Sequence, residues 1–277
     1  MNIGIAGLGL IGASLAKAVT DHTEHRAFGW NRSEDTLKKA LHDGIITGIL
    51  DEKTIPACDV IFVALYHGAA IEYIKKNAEL FNKRGLVIDC CGVKKAICDE
   101  IFSIAENFGF TFVGGHPMAG LAHSGYDYST GELFRGASMI LTPREGDRRK
   151  IAWIDQILRG LGFGDIVYTT PERHDREIAY TSQLAHIISS AYVMSDASLA
   201  HRGFSAGSFR DLTRVAWLNE DMWTELFLDN RAALSGELDD MITRLTAFRD
   251  AISGGDEQKL RALLKAGRER KERVEKL

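Results

Sequence analysis

The first twelve residues constrain this chain more than any other stretch. Ile3-Gly4-Ile5-Ala6 is an apolar run of strand length, Gly7-Leu8-Gly9-Leu10-Ile11-Gly12 follows as a GxGxxG turn, and Ala13-Ser14-Leu15-Ala16-Lys17-Ala18 continues as an amphipathic helix. A strand ending in such a turn and feeding a helix makes a dinucleotide cradle. Gly7 permits the tight turn, Gly9 lets the backbone approach a pyrophosphate, and Gly12 lets the helix pack close to the strand. The unpaired N–H groups of the first helical turn, at Leu10 and Ile11, then face the phosphates. The reading is an N-terminal nucleotide-binding α/β domain of Rossmann type; glycines serving packing alone are the bland alternative.

Arg26-Ala27-Phe28-Gly29-Trp30 reads as the second strand, with Asn31-Arg32-Ser33 after it, about nineteen residues beyond Gly12, where such folds place the acid that holds the adenosine ribose. Asn31 stands there instead. Without a carboxylate to repel a 2′-phosphate, and with the Arg32 guanidinium beside it, NADP is permitted and slightly favoured; in the other reading Asn31 bonds the ribose of NAD and Arg32 is solvated. Ser33 reads as the N-cap of a helix through His42, with Glu34 and Asp35 in its first turn. Asp59 to Leu65 and Gly85 to Asp89 are apolar runs suited to strands buried on both faces, so Leu65 and Tyr66 sit at the carboxyl edge of the sheet beside the cofactor. After the second run, Lys94 either contacts an anion or is a solvated residue opening the next helix.

Phe110 to Gly114 is a further strand, delivering Gly115-His116-Pro117-Met118-Ala119-Gly120 to that same edge. The polar loop to Arg135 exceeds an ordinary connection and suggests function. Another strand at Ala137 to Leu141, a helix to Leu161 and a strand to Tyr168 complete the half. The pattern changes at Thr169-Thr170-Pro171. Beyond it no strand is evident: helices are expected from His174 to Leu199, Phe209 to Trp217, Trp223 to Thr246 and Asp256 to Leu277. The division is therefore 1–169, the nucleotide domain, and 170–277, an all-α domain for substrate binding and dimerisation, whose long apolar helix suggests a helix-packed homodimer.

Composition narrows the function classes. Among 277 residues, 45% are hydrophobic and the net charge is −4, so a sizeable core is available and no basic field invites nucleic acid or an anionic membrane. The chain opens on a core strand where a signal peptide would stand, so the cytoplasm is the expected location. Cys58, Cys90, Cys91 and Cys98 form no CxxC pair and lie outside metal spacing, so reduced structural thiols are expected and no metal.

A dehydrogenase acting on an alcohol needs a group to accept the hydroxyl proton as hydride leaves. His116, at a strand end between Gly115 and Pro117, is the best candidate, with a loop-capping histidine as the alternative. His186, four residues after Ser182, is either a core histidine or a ligand group. Arg214 either pairs with a protein carboxylate, Asp211 being nearest, or awaits a ligand carboxylate.

GLGLIGASLA, DCCGVK, GGHPMAG with Ser124-Gly125, His174-Asp175, SQLAH ending at His186, and FRDLTR ending at Arg214 before Met222-Trp223 recur in this order from Gly7 to about Asn230. Together they resemble the prephenate dehydrogenase family, with its relative arogenate dehydrogenase. The resemblance implies oxidative decarboxylation of prephenate to 4-hydroxyphenylpyruvate on the route to tyrosine, in a cytoplasmic homodimer using NAD or NADP and a small anionic substrate. By the same resemblance His116 bonds the ring hydroxyl, Arg214 binds a substrate carboxylate and His186 touches the substrate. Two positions depart from the family. Gly92 replaces a serine often paired with the catalytic histidine, leaving Cys91 or a water to serve, and Leu121-Ala122-His123 replaces Thr-Glu-Lys, removing a gating glutamate. No added regulatory domain is evident, so strong feedback from one is not expected. Two rivals remain. A β-hydroxyacid dehydrogenase would want a helical lysine, and none lies between Glu177 and Arg202; a non-catalytic NAD(P) sensor would not need His116 and Arg214 to converge.

Overall fold

The computed structural model describes residues 1–121 and 123–276. Eight strands form one sheet in the order β3-β2-β1-β4-β5-β6-β7-β8: β1 Asn2–Ala6, β2 Arg26–Trp30, β3 Gly48–Ile49, β4 Val60–Val63, β5 Leu86–Asp89, β6 Thr111–Pro117, β7 Ser138–Pro143 and β8 Asp165–Tyr168. Neighbours are parallel except β6 and β7, which run antiparallel. Between strands lie α1 Leu10–His22, α2 Glu34–His42, α3 His67–Asn77, α4 Lys95–Phe108 and α5 Ile154–Gly160. Chain order reverses between β1 and β4, and a crevice at that reversal, outside the strand carboxyl ends, is where such sheets take ligands.

The core follows from the apolar runs. Ile3, Ile5, Phe62, Ile88 and Val113 join Leu15 and Val19 of α1 in one buried layer. Their strand neighbours Ile61, Val63, Val87 and Phe112 join Ile74 of α3 and Ile97 and Ile101 of α4 in the other. Side chains alternate across a strand, so continuous apolar sequence is what a doubly covered sheet needs. β6 runs three residues past the expected end at Gly114. Antiparallel pairing with β7 sets Gly115 opposite Leu141, His116 opposite Ile140 and Pro117 opposite Met139, which makes His116 part of the sheet instead of the segment after it.

Beyond β8 the chain is helical: α6 Pro171–Ile178, α7 Ala185–Val193, α8 Gly207–Thr213, α9 Glu220–Asp229, α10 Arg231–Ser253 and α11 Glu257–Val274. Pro171 opens α6, and the Thr170 hydroxyl caps it by accepting from Arg173 N at 3.2 Å. Three expected helices need correction. The expected helix from His174 to Leu199 is α6 and α7 joined by one wide π turn, Ala179–Leu184, and α7 stops at Val193. There the Ser195 hydroxyl bonds Ala197 N locally and starts a separate turn, competition typical of serine. The expected helix from Phe209 to Trp217 ends at Thr213. The one expected over Trp223–Thr246 is two, α9 and α10, broken where the Asn230 amide turns inward. By compactness the chain divides into Met1–Asn230 and Arg231–Leu277; within the second unit α10 and α11 pack on each other.

Candidate active site

The glycine turn has the shape of a cradle. Gly7 has φ +92°, and a Cβ there would lie 2.4 Å from Ala64 O; at Gly12 it would lie 1.7 Å from Gly7 O. A Cβ at Gly9 would meet nothing within 4 Å, so the space over the first turn of α1, at Leu10 and Ile11, is open to a pyrophosphate. Gly7 N donates to Trp30 O at 2.8 Å and Leu8 N to Asn31 Oδ1 at 3.0 Å. Asn31 therefore spends its carbonyl on fixing the turn. The Ser33 hydroxyl caps α2 by accepting from Thr36 N, and Arg32 beside it is exposed. Leu65 and Tyr66 follow β4 at the same edge, Tyr66 being 58% exposed.

At the end of β6, His116 meets two residues from α6. Its Nδ1 lies 2.9 Å from His174 Nε2, and His174 Nδ1 lies 2.7 Å from Asp175 Oδ1. Asp175 also accepts from the backbone N–H groups of Lys94 at 2.7 Å and Lys95 at 2.8 Å, the free donors at the start of α4, where helix polarity favours an anion. A carboxylate only accepts, so His174 carries its proton on Nδ1, His174 Nε2 accepts, and His116 donates from Nδ1. His116 Nε2 is thereby left with its lone pair. Burial first, then the nearby His174 and Lys94, hold the His116 pKa well below the ordinary imidazole value. His174 is likewise lowered, by burial first and against the pull of Asp175. His116 is a neutral base at pH 7 with one defined acceptor atom.

Beneath this line lies a buried brace. Lys94 neither meets a ligand anion nor is solvated: it is fully buried and ion-paired to Asp89, and it donates to Gly115 O at 2.7 Å. Asp89 accepts from Cys91 N at 2.9 Å and Gly115 N at 3.0 Å. Burial is the largest single influence and lowers the lysine pKa, but the groups around it, Asp89 first, together outweigh it and the net direction is upward. The brace fixes the residue before His116 on both its N–H and its C=O.

The serine replaced by Gly92 has no substitute in Cys91, whose Sγ lies 3.6 Å from Leu65 O; His174 is the partner of His116. A Cβ at Gly92 would stand 3.1 Å from Leu226 Cδ2, so Leu226 of α9 occupies that space. Ala122 lies outside the described residues. All four cysteines are free, and burial raises each thiol pKa, Cys58 and Cys98 to about 12, so they are protonated at neutral pH.

His186, half-buried, donates from Nδ1 to Ser182 O at 2.8 Å and packs on Trp223 of α9, ring centroids 4.2 Å apart. Arg214, just past α8, is exposed and makes no ion pair among the described residues, with Asp211 or any other acid. The structure thus joins His116 to His174 and Asp175 and sets His186 against α9, but records no contact from Arg214 to either. His67, Glu225 and Asp229 also converge, with possible ligand atoms within 4.8 Å. Glu225 Oε1 accepts from Gly68 N at 2.8 Å and Asp229 Oδ2 lies 2.5 Å from His67 Nδ1. The Gly68 N–H accounts for Glu225 and the His67 ring for Asp229, and the positive N-terminus of α3 opposes a cation there.

Sequence reasoning gave no role to His174, Asp175 or Asp89, and read Lys94 as an anion contact or a solvated residue. A signal existed for the last pair: an acid closing an apolar strand needs a buried partner, and a lysine stands five residues on.

The sequence matches two family models, "Prephenate dehydrogenase, nucleotide-binding domain" over residues 15–167 and "Prephenate dehydrogenase, dimerization domain" over 170–266. It is 31% identical to a cyclohexadienyl dehydrogenase of Zymomonas mobilis over 92% of this chain and 89% of that protein. The fold superposes on Synechocystis arogenate dehydrogenase with TM-score 0.83 and 29% identity, covering 99% and 100% of the two chains. It also superposes on the prephenate dehydrogenase of A. aeolicus solved with hydroxyphenyl propionate and NAD+, with TM-score 0.85 and 26% identity over 99% and 98%. With both family models matched in order across most of its length, on a nucleotide cradle followed by helices, the chain belongs to the prephenate dehydrogenase family.

Proposed function

We propose that this protein catalyses oxidative decarboxylation of prephenate to 4-hydroxyphenylpyruvate with hydride transfer to NAD or NADP, in tyrosine biosynthesis. The observation that carries the reading is the line Asp175, His174, His116, which ends in one lone pair at His116 Nε2. The open cradle over Gly9 fits a dinucleotide, which when bound supplies the hydride acceptor. His116 Nε2 takes the proton of the ring hydroxyl as the carbon beneath it becomes a carbonyl. Loss of the ring carboxylate as carbon dioxide then sends an electron pair toward that oxygen, which recovers the proton as the phenol forms. Asp175 and His174 keep His116 in the tautomer the step needs. Arg214, with no acid paired to it among the described residues, binds a substrate carboxylate, and His186 contributes a further contact through Nε2. The rest of the protein's work is orientation and exclusion of water.

The exposed Arg32 and the absence of an acid at the end of β2 favour NADP over NAD. We assign cofactor binding to residues 1–169, and substrate binding and homodimer formation to 170–277, and we place the protein in the cytoplasm; none of the described helices is long and apolar enough to cross a membrane. Arogenate is the second substrate to test, because an arogenate dehydrogenase is among the structural relatives. Absorbance of reduced cofactor, followed with prephenate or arogenate and NAD or NADP in the four combinations, tests the proposal. Turnover in at least one, lost in His116→Gln, supports it. Silence in all four with cofactor still bound favours a nucleotide sensor.

A further inference from the structure

Between His174 and His186 lie twelve residue steps. At about 100° per residue, an unbroken α-helix would set the two histidines about 120° apart around the axis. The wide turn Ala179–Leu184 interrupts that count. One additional residue accommodated in a π turn removes about 100°, bringing the two to within about 20° of one face. The turn also sets the His186 ring, because Ser182 O, inside it, accepts the Nδ1–H.

The turn is pinned from one side. Gln183 Nε2 donates to Leu226 O at 3.0 Å, and Asn230 Nδ2 donates both to Gln183 Oε1 at 2.7 Å and to Asp175 O at 2.8 Å. Gln183 and Asn230 are both buried. One buried amide pair thus ties together the wide turn, the residue that orients His174, and α9, whose Trp223 and Leu226 cover His186 and Gly92. Buried amides hold such registers because every alternative leaves a polar group unpaired.

We propose that the Ala179–Leu184 turn is a phase-setting device, and that Gln183 and Asn230 are positioning residues that bring His186 onto the helix face of His174, so that His186 and His116, which His174 orients, address one substrate. This rests on the reading of His186 as a substrate-binding residue. Deletion of Thr181, which is exposed in the middle of the turn, returns the segment to α-helical register, whereas Thr181→Ala keeps the residue count.

The experiment compares the parent, Thr181→Ala, the Thr181 deletion and Gln183→Met. It reads KM and kcat, binding of 3-(4-hydroxyphenyl)propionate and of cofactor, and the His186 tautomer by 15N NMR of the imidazoles. Thr181→Ala should behave as the parent. The deletion should raise KM and the dissociation constant of the analogue about tenfold or more, the scale of one lost charge-assisted hydrogen bond. It should leave cofactor affinity unchanged and end the Nδ1–H tautomer of His186. A folded deletion variant with parental KM, analogue affinity and tautomer overturns the inference. If the deletion does not fold, Gln183→Met decides, and parental values there overturn it. A parent without turnover refutes the proposed reaction instead, while the analogue and tautomer comparison still decides the role of the turn.

Discussion

Asp175→Asn separates orientation of the proposed catalytic line from its mere presence. Asp175 is 5% exposed and accepts three hydrogen bonds, from His174 Nδ1, Lys94 N and Lys95 N. An asparagine has one acceptor oxygen and two donors in the same volume. Asp175 Oδ1 accepts from both His174 Nδ1 and Lys94 N, and Oδ2 from Lys95 N, so with the amide oxygen on Lys95 N the NH2 takes the Oδ1 position, faces His174 Nδ1 and forces that nitrogen to accept. His174 then carries its proton on Nε2 and donates to His116 Nδ1, so the His116 proton moves to Nε2, the atom that must be a base. The expected loss in kcat is about 10²- to 10⁴-fold, the range for removing general base catalysis, with cofactor affinity unchanged. Replacing a charged acceptor of two backbone N–H groups should also destabilise the protein by about 1–3 kcal/mol. The assay is steady-state turnover at saturating substrate and cofactor, with a thermal melt to establish that the variant is folded. A folded Asp175→Asn enzyme with kcat within about threefold of the parent refutes the tautomer argument.

Other expectations follow from single observations. Both His116 and His174 have folded pKa values below the unfolded one, so the unfolded chain binds protons first as pH falls. Stability should therefore be full above about pH 6.5 and decline below it, by up to about 1.4 kcal/mol per pH unit for each group. Denaturant titrations from pH 7.5 to 5 check this, and an unchanged slope in His116→Gln would count against it. The acid limb of kcat/KM should likewise fall below pH 6.5, since the free enzyme keeps His116 neutral to lower pH. Arg214→Ala should raise KM about 10- to 100-fold with kcat little changed; an unchanged KM removes the arginine from carboxylate binding. Arg32→Glu should weaken NADP about tenfold or more while sparing NAD, measured by fluorescence titration of the reduced cofactors. Equal effects on both would place Arg32 away from the 2′-phosphate.

The nucleotide half was legible because its signals are local. A continuous apolar run must be a strand covered on both faces, and a GxGxxG between strand and helix has little other use, so the order of the longer strands could be read residue by residue. His116 was legible for the same reason, standing where a strand meets the ligand edge. The helical half was less legible. Apolar periodicity locates a helix but not a wide turn inside it, because an extra residue at Ala179–Leu184 leaves composition unchanged and is held by Gln183 and Asn230, 47 positions apart. The break at Asn230 is of the same kind: the residue leaves the helix to satisfy Asp175 O, which nothing near it in sequence announces. His174 and Asp175 stood in view as an adjacent pair, yet their role depends on His116, 58 residues earlier, and on the start of α4, some 80 residues away. The sequence by itself determined which segments bury apolar surface and where backbone must pass close to a phosphate, since steric and solvation demands act on neighbours along the chain. Only the tertiary structure decided which buried polar atoms answer one another. A hydrogen bond is directional over about 3 Å, and it is the fold that brings such distant residues within that range.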